Sequence, residues 1–315
     1  MTRNPVRLSL IAAAISLTAL LAAGCGSSEE APVGAKKLSF ELTDAGCLPL
    51  KASAPAGPIT FEAENTGTSA VTEIEVLEGD SILGEKENLS DGLPGSFSLT
   101  LDKGEYTIYC PGGENERGTL TVTGEAEAAS SSPSEAAAIE QYRTYLERNT
   151  AELVEKTEPF VAAVVAGEIP RAMSLYPAAR IPYERIEPVA ESFGDLDPRI
   201  DARANDVPAD EFGGFHRIEK ALWAESTIAG MAPVAKQLLA DVKELQRKVK
   251  TVRLQAAQIA NGANELLGEV SASKITGEKE RYSHIDLVDF EANVEGAEAA
   301  FDAVEPLLPK QGPQL

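Results

Sequence analysis

Histidine is almost missing from this 315-residue chain: there are two, alongside three cysteines, three methionines and one tryptophan. Between residues 37 and 124 there is neither histidine nor methionine. A blue-copper electron-transfer centre needs two histidines, a cysteine and usually an axial methionine, so composition excludes one there. No HExxH occurs anywhere, which removes a zincin-type active site. Basic residues are also scarce: 28 Lys and Arg stand against 50 Asp and Glu, a formal charge of -22. Such a chain is repelled by phosphate backbones and anionic surfaces, so no nucleic-acid partner is expected. Aromatics contribute 5% of the residues while hydrophobic residues reach 43%, a balance that suits helical packing rich in Ala and Leu. The length allows two ordinary domains, each with its own core.

Long hydrophobic runs are limited to Leu8–Ala23, which follows Arg3 and Arg7. The run is short for a membrane span and typical of a signal h-region. It ends in Ala22-Ala23-Gly24-Cys25, which resembles a bacterial lipobox. Residues 1–24 are therefore expected to be a lipoprotein signal peptide, Cys25 the lipidated first residue, and 25–36 a polar tether. No second run of this kind follows. The body is expected to be exported, either lipid-anchored to the outer face of the cell membrane or in the periplasm.

From 37 to 124 the apolar residues fall at every second position: Leu38, Phe40 and Leu42; Ile59, Phe61 and Ala63; Phe97, Leu99 and Leu101; Tyr106 and Ile108; Leu120 and Val122. Turn signals such as Asp44-Ala45-Gly46 and Asp102-Lys103-Gly104 separate them. Five to seven short strands at this spacing predict an antiparallel β-sandwich, the architecture to which cupredoxins belong. Glu73 and Glu75 share one face of a strand, with Ile74 and Val76 on the other. Cys47 and Cys110 have two alternatives, a disulfide or a pair of metal-binding thiolates, and the two conflict chemically.

Residues 125–135 have no apolar period and read as a linker. The remainder, 136–315, is helical. Ile139, Tyr142, Leu146, Leu153, Phe160 and Val164 mark a first long helix, and a second is expected near 234–270. A last helix would bury Leu287, Phe290, Val294, Ala297, Phe301, Val304 and Leu308. The proline-rich stretch 168–232 should hold short helices and loops. The predicted architecture is multidomain, an all-β cupredoxin-like sandwich followed by an all-α helical bundle.

Two motifs in that stretch carry chemistry. Glu184-Arg185-Ile186-Glu187 and His216-Arg217-Ile218-Glu219 each place two donors three residues apart, which on a helix share a face. Two such helices facing each other would make a carboxylate–histidine pocket. Asp201 lies between the motifs. Asp286 and Asp289, beside His284 at the start of the last helix, are further candidates, although acidic residues there also complement the helix dipole. Carboxylates with one imidazole suit ferric or ferrous iron, with zinc or manganese as alternatives, better than Cu(I). His216 must be neutral to coordinate, so capture should weaken below about pH 6. Arg185 and Arg217 point away from these faces, and Trp223 reads as core packing.

The phrases YPAARIPYERIEPVAE, FGDLDPRIDAR, GFHRIEKALW and RYSHIDLVDFEANVEG resemble the imelysin-like domain of EfeO-type iron-uptake proteins, over roughly 136–310. Leu38–Gly124 resembles their cupredoxin-like domain. The resemblance implies an extracytoplasmic iron-binding component of an EfeUOB-like system, with no covalent chemistry of its own. It would pass iron to a membrane permease and work beside a haem-dependent peroxidase. It makes Glu184, Glu187, Asp201, His216 and Glu219 candidate ligands. It also places a proposed second metal site at Cys47, Glu73 and Cys110; for the protein as a whole, copper or zinc are alternatives to iron. The runner-up is a metallopeptidase, since imelysin-like domains have been classed with peptidases. A third reading makes the β domain a redox partner of iron, and the missing type 1 copper set counts against it.

Overall fold

The structure, a computed structural model, describes residues 36–125, 132–272, 277 and 279–308. The expected signal peptide, Cys25, the tether up to residue 35 and residues 126–131 of the linker lie outside the described residues.

The alternating segments form nine strands: β1 (Lys36–Thr43), β2 (Gly46–Leu48), β3 (Lys51–Pro55), β4 (Gly57–Asn65), β5 (Ile74–Glu78), β6 (Ser81–Lys86), β7 (Pro94–Leu101), β8 (Gly104–Tyr109) and β9 (Arg117–Thr123). They make two sheets, ordered β2-β1-β4-β7 and β3-β9-β8-β5-β6. β1 pairs with β4, and β3 with β9, in parallel, so the sandwich is mixed where an antiparallel one was expected. The chain crosses to the other sheet between these partners and returns running the same way, which no hairpin can do. The expected inward residues fill the space between the sheets. Phe61 stacks between Phe40 and Phe97, with ring centroids 6.5 and 5.0 Å away.

Cys47 on β2 and Cys110 just after β8 are joined by a disulfide, with Cα atoms 6.0 Å apart, which ties the two sheets together. This decides between the two alternatives for these cysteines. Both sulfurs are consumed, so Cys47 and Cys110 present no thiolate, and the metal site they would share with Glu73 is not formed.

α1 (Pro133–Ala166) starts where Ser132 Oγ accepts the Glu135 N–H at 3.1 Å and stops at Gly167, whose φ is 79°. Tyr142, Leu146, Leu153, Phe160 and Val164 form its buried stripe, with Ile139 partly buried beside it. Shorter elements follow: α2 (Ile169–Glu184), a 3-10 segment (Glu187–Phe193), α3 (Leu196–Asp201) and α4 (Gly214–Trp223). The long helix expected near 234–270 is two helices, α5 (Met231–Lys248) and α6 (Ala256–Ala272). Arg143 stabilises the break by donating to the carbonyls of Val249 at 2.7 Å and Val252 at 2.8 Å, which no following helical N–H satisfies.

The last helix, α7 (Asp286–Val304), also departs from its expected face. Leu287 is 80% exposed, and Val294, Phe301 and Leu308 are exposed as well. Of the expected residues Ala297 and Val304 are buried, and they share the buried face with Ala292, Ala300 and Ala303. Small side chains let one backbone approach another closely, and here that seam outcompetes the larger residues for the interior.

Sandwich and helices belong to one compact unit. α6 lies against the sandwich: Asn261 Nδ2 donates to Ser98 O at 3.0 Å, the Thr100 N–H donates to Gln255 Oε1 at 2.9 Å, and Lys86 pairs with Glu265 at 2.6 Å. Among the described residues no helix is long and apolar enough to cross a membrane.

Candidate metal centre

Arg180 and Glu184 stand four apart on α2 and so share a face. The helix ends at Glu184, and Glu187 opens the 3-10 segment, so the first acidic motif straddles a boundary instead of lying along one helix. Asp201 is the last residue of α3. Gly214 begins α4 with φ 65°, and a Cβ there would lie 2.2 Å from the Ile200 carbonyl oxygen. That close approach is open only to glycine. It packs the start of α4 onto the end of α3 and brings His216 Nε2 to 3.5 Å from Asp201 Oδ1. Further along α4, Glu219 Oε2 lies 3.1 Å from His216 Nδ1, and Glu219 Oε1 accepts the backbone N–H groups of Tyr282 and Ser283 at 2.8 and 2.7 Å.

The candidates from both motifs therefore meet, in two groups. His216, Glu219 and Glu280 form one, and Glu184, Glu187 and Asp201 the other; within each, one ligand atom per residue lies within 4.8 Å of the rest. Asp201 also links the groups through its approach to His216. Asp289 reaches the same region, with Oδ2 3.4 Å from Arg180 Nη2. Asp286 does not: its Oδ1 accepts the Glu280 N–H at 3.0 Å and orders the turn before α7. Glu73 lies apart as well, on the wall of a cavity of about 400 Å³ between the sandwich and the helices, with Glu85, Glu87, Glu191, Glu187 and Asp201.

Three central residues escaped the sequence reading. Arg180 is fully buried; it pairs with Asp201, with Glu184, and at 3.0 Å with Glu280, and its guanidinium lies over the Phe215 ring. Lys279 Nζ lies 2.8 Å from Glu184 Oε2, 2.7 Å from Glu187 Oε1 and 3.3 Å from Asp201 Oδ2. Glu280 accepts from Tyr176 and Ser283. The only signal for Arg180 was its four-residue spacing from Glu184. Lys279-Glu280 sits in a charged run that reads as solvated surface. Arg185 and Arg217 make surface pairs with Glu295 and Glu225, and Trp223 packs edge-on against Tyr176, 5.3 Å between centroids.

The electrostatics follow from burying more acid than base. Burial alone would raise every carboxyl here. For Asp201 that effect is outweighed by Arg180, then Lys279, which hold it well below the usual range. Glu219 is also lowered, burial being overcome by the hydrogen bond from His216 and the two backbone N–H groups. For Glu184 and Glu280 burial prevails over Arg180, raising both to about 7, and Asp289 rises to about 8 for the same reason. On the sandwich, burial raises Glu73, and burial with the nearby Glu73 charge takes Glu75 to about 8. A site with surplus carboxylates that retain protons near neutrality is one in which a cation can replace those protons. His216 Nε2 and Asp289 Oδ1 are buried without a hydrogen bond. The donor set, mostly carboxylate oxygen with one imidazole, fits a hard or borderline cation.

Residues 138–315 match the imelysin family, Peptidase_M75, and residues 12–122 match the cupredoxin-like domain. The iron uptake system component EfeO of Escherichia coli strain K12 is 41% identical over 288 residues, which cover 89% of this chain and 76% of the relative. The protein of the same description from Shigella flexneri matches to the same extent. Among solved structures, auracyanin A of Chloroflexus aurantiacus aligns with 29% of this chain and 100% of its own at 15% identity, with a TM-score of 0.26, too low to carry an argument. By sequence, then, this chain belongs to the family of EfeO-type iron-uptake components, in which a cupredoxin-like domain is joined to an imelysin domain.

Proposed function

We propose that this chain captures iron outside the cytoplasm in the centre formed by Glu184, Glu187, Asp201, His216, Glu219 and Glu280, and hands it to a membrane permease. In this reading residues 1–24 are removed, Cys25 carries the lipid anchor, 37–124 is the cupredoxin-like domain, and 136–315 holds the metal centre. A haem-dependent peroxidase would serve the same system. The observation that carries the proposal is the convergence of the two donor groups, which Asp201, a member of one, links through its approach to His216 of the other. The acidic cavity adds a route, since Glu73, Glu85, Glu87 and Glu191 line the space that reaches Glu187 and Asp201. Burial and mutual repulsion leave protons on several of these carboxyls, and a cation passing along the walls can take the place of those protons.

The mechanism is capture and release. A cation entering the centre exchanges with protons on Glu184, Glu280 and Asp289, and loss of its hydration is offset by carboxylate oxygens already held by Asn293, Tyr176 and backbone N–H groups. Iron titration of the wild type and of His216→Ala tests this, with the variant expected to lose about tenfold to a hundredfold in affinity. Equal affinities would remove His216 from the centre. The peptidase classification of the imelysin family favours a second reading, metal-dependent peptide hydrolysis with Glu219 as base. Chelator-sensitive digestion of casein would support it.

A further inference from the structure

We propose that Lys279 is a captive counter-cation, which an incoming metal ion must displace, and that this exchange restricts the centre to multiply charged cations. The inference rests on the capture reading above and concerns what governs occupancy of the same centre.

Lys279 Nζ stands against oxygens of Glu184, Glu187 and Asp201, the three carboxylates of one donor group, at 2.8, 2.7 and 3.3 Å. A metal ion bonded to those oxygens would lie about 2.0–2.5 Å from each. It would then overlap the ammonium, so the two cannot share the group. The side chain is only 3% exposed, and its charge joins that of Arg180 in holding the carboxylates together without an ion.

Arg180 is the other cation, and its setting is different. It is clamped by Glu184, Asp201, Glu280 and Asp289, and stacked on Phe215. Lys279 instead borders the cavity of about 400 Å³, into which its flexible four-carbon stem can swing. Glu191 and Glu269 on the same walls offer the departing ammonium an acidic lining. The exchange balances with the ammonium, and any proton still held by Glu184, leaving the carboxylates as the charge of the ion arrives. A monovalent ion gains nothing in Coulomb energy over the ammonium it replaces, whereas a divalent or trivalent ion gains one or two charges against the same oxygens.

The test uses the whole chain and two probes, manganese(II) and ferric citrate. Acetic anhydride labelling read by mass spectrometry reports how accessible Lys279 is, with exposed Lys37 as internal reference. Labelling of Lys279 should be slow without metal, should rise several-fold with the same midpoint as metal binding, and should not rise with sodium at matched ionic strength. Lys279→Met should bind manganese about tenfold more tightly or better, because no ammonium has to be expelled. A wild type that binds metal while Lys279 labelling stays unchanged would overturn the inference and leave the capture reading intact, a result that does not depend on the variant folding. A wild type that binds neither probe would remove the capture reading and this inference with it.

Discussion

Raising the pH from about 6.5 to about 8.5 should destabilise the metal-free protein. Glu184 and Glu280 titrate at about 7 in the folded chain, and Asp289 and Glu75 at about 8, each raised chiefly by burial. In the unfolded chain such groups have lost their protons by about pH 5. A folded value above the unfolded one gives stability that is fully present below the unfolded value and is lost as pH rises through the folded one. Each proton held only by the native state makes stability fall by about 1.4 kcal/mol per pH unit. If two of these groups retain protons near pH 7, the slope is about 3 kcal/mol per unit, a large share of a typical net stability of about 5–15 kcal/mol. Asp201 and Glu219 are shifted the opposite way, and their contribution is lost only as pH falls into the acid range, outside this window. Urea denaturation of chelator-treated protein at fixed ionic strength, followed by circular dichroism, measures the slope. Saturating metal should flatten it, since the ion takes the place of the protons. A midpoint that holds steady or climbs across the window would refute the reasoning.

Replacing both Cys47 and Cys110 with Ala opens a loop whose ends are 63 residues apart and should cost about 4 kcal/mol, read by calorimetry, while iron affinity of the helical centre is retained. Gly214→Ala forces α4 away from the Ile200 carbonyl and should weaken iron binding together with thermal stability, whereas Gly213→Ala, with no neighbour closer than 3.7 Å, should change iron binding far less. Leu287→Ser should shift stability by no more than about 0.5 kcal/mol, because that side chain is exposed, while Leu146→Ala in the buried stripe of α1 should cost about 2–5 kcal/mol by urea denaturation.

Periodicity made the two architectures legible before any coordinates. Strand residues such as Phe40, Phe61 and Phe97 had to face one way, and α1 had to bury Tyr142, Leu146 and Phe160, because the side-chain repeat of each element is set by its backbone geometry. The same reasoning failed on α7, where Leu287 and Phe301 have the spacing of a core stripe and yet face outward. A helix can satisfy the hydrophobic effect through either of two faces, and a close-packed seam of Ala against its neighbours won over larger residues. The break between α5 and α6 was equally invisible, since it depends on Arg143, about a hundred residues earlier in the chain, reaching two carbonyls.

The donor set divides along the same line. The sequence by itself made Glu184, Glu187, His216 and Glu219 a candidate ligand set through side-chain chemistry and local spacing, and its resemblance to a known family added Asp201. Only the tertiary structure decided that Arg180 and Lys279 stand among those carboxylates, that Glu280 joins them, and that Cys47 and Cys110 are spent on each other. Charge pairing acts over a few ångströms whatever the distance in sequence, so which acid meets which base is settled by how the helices are brought together.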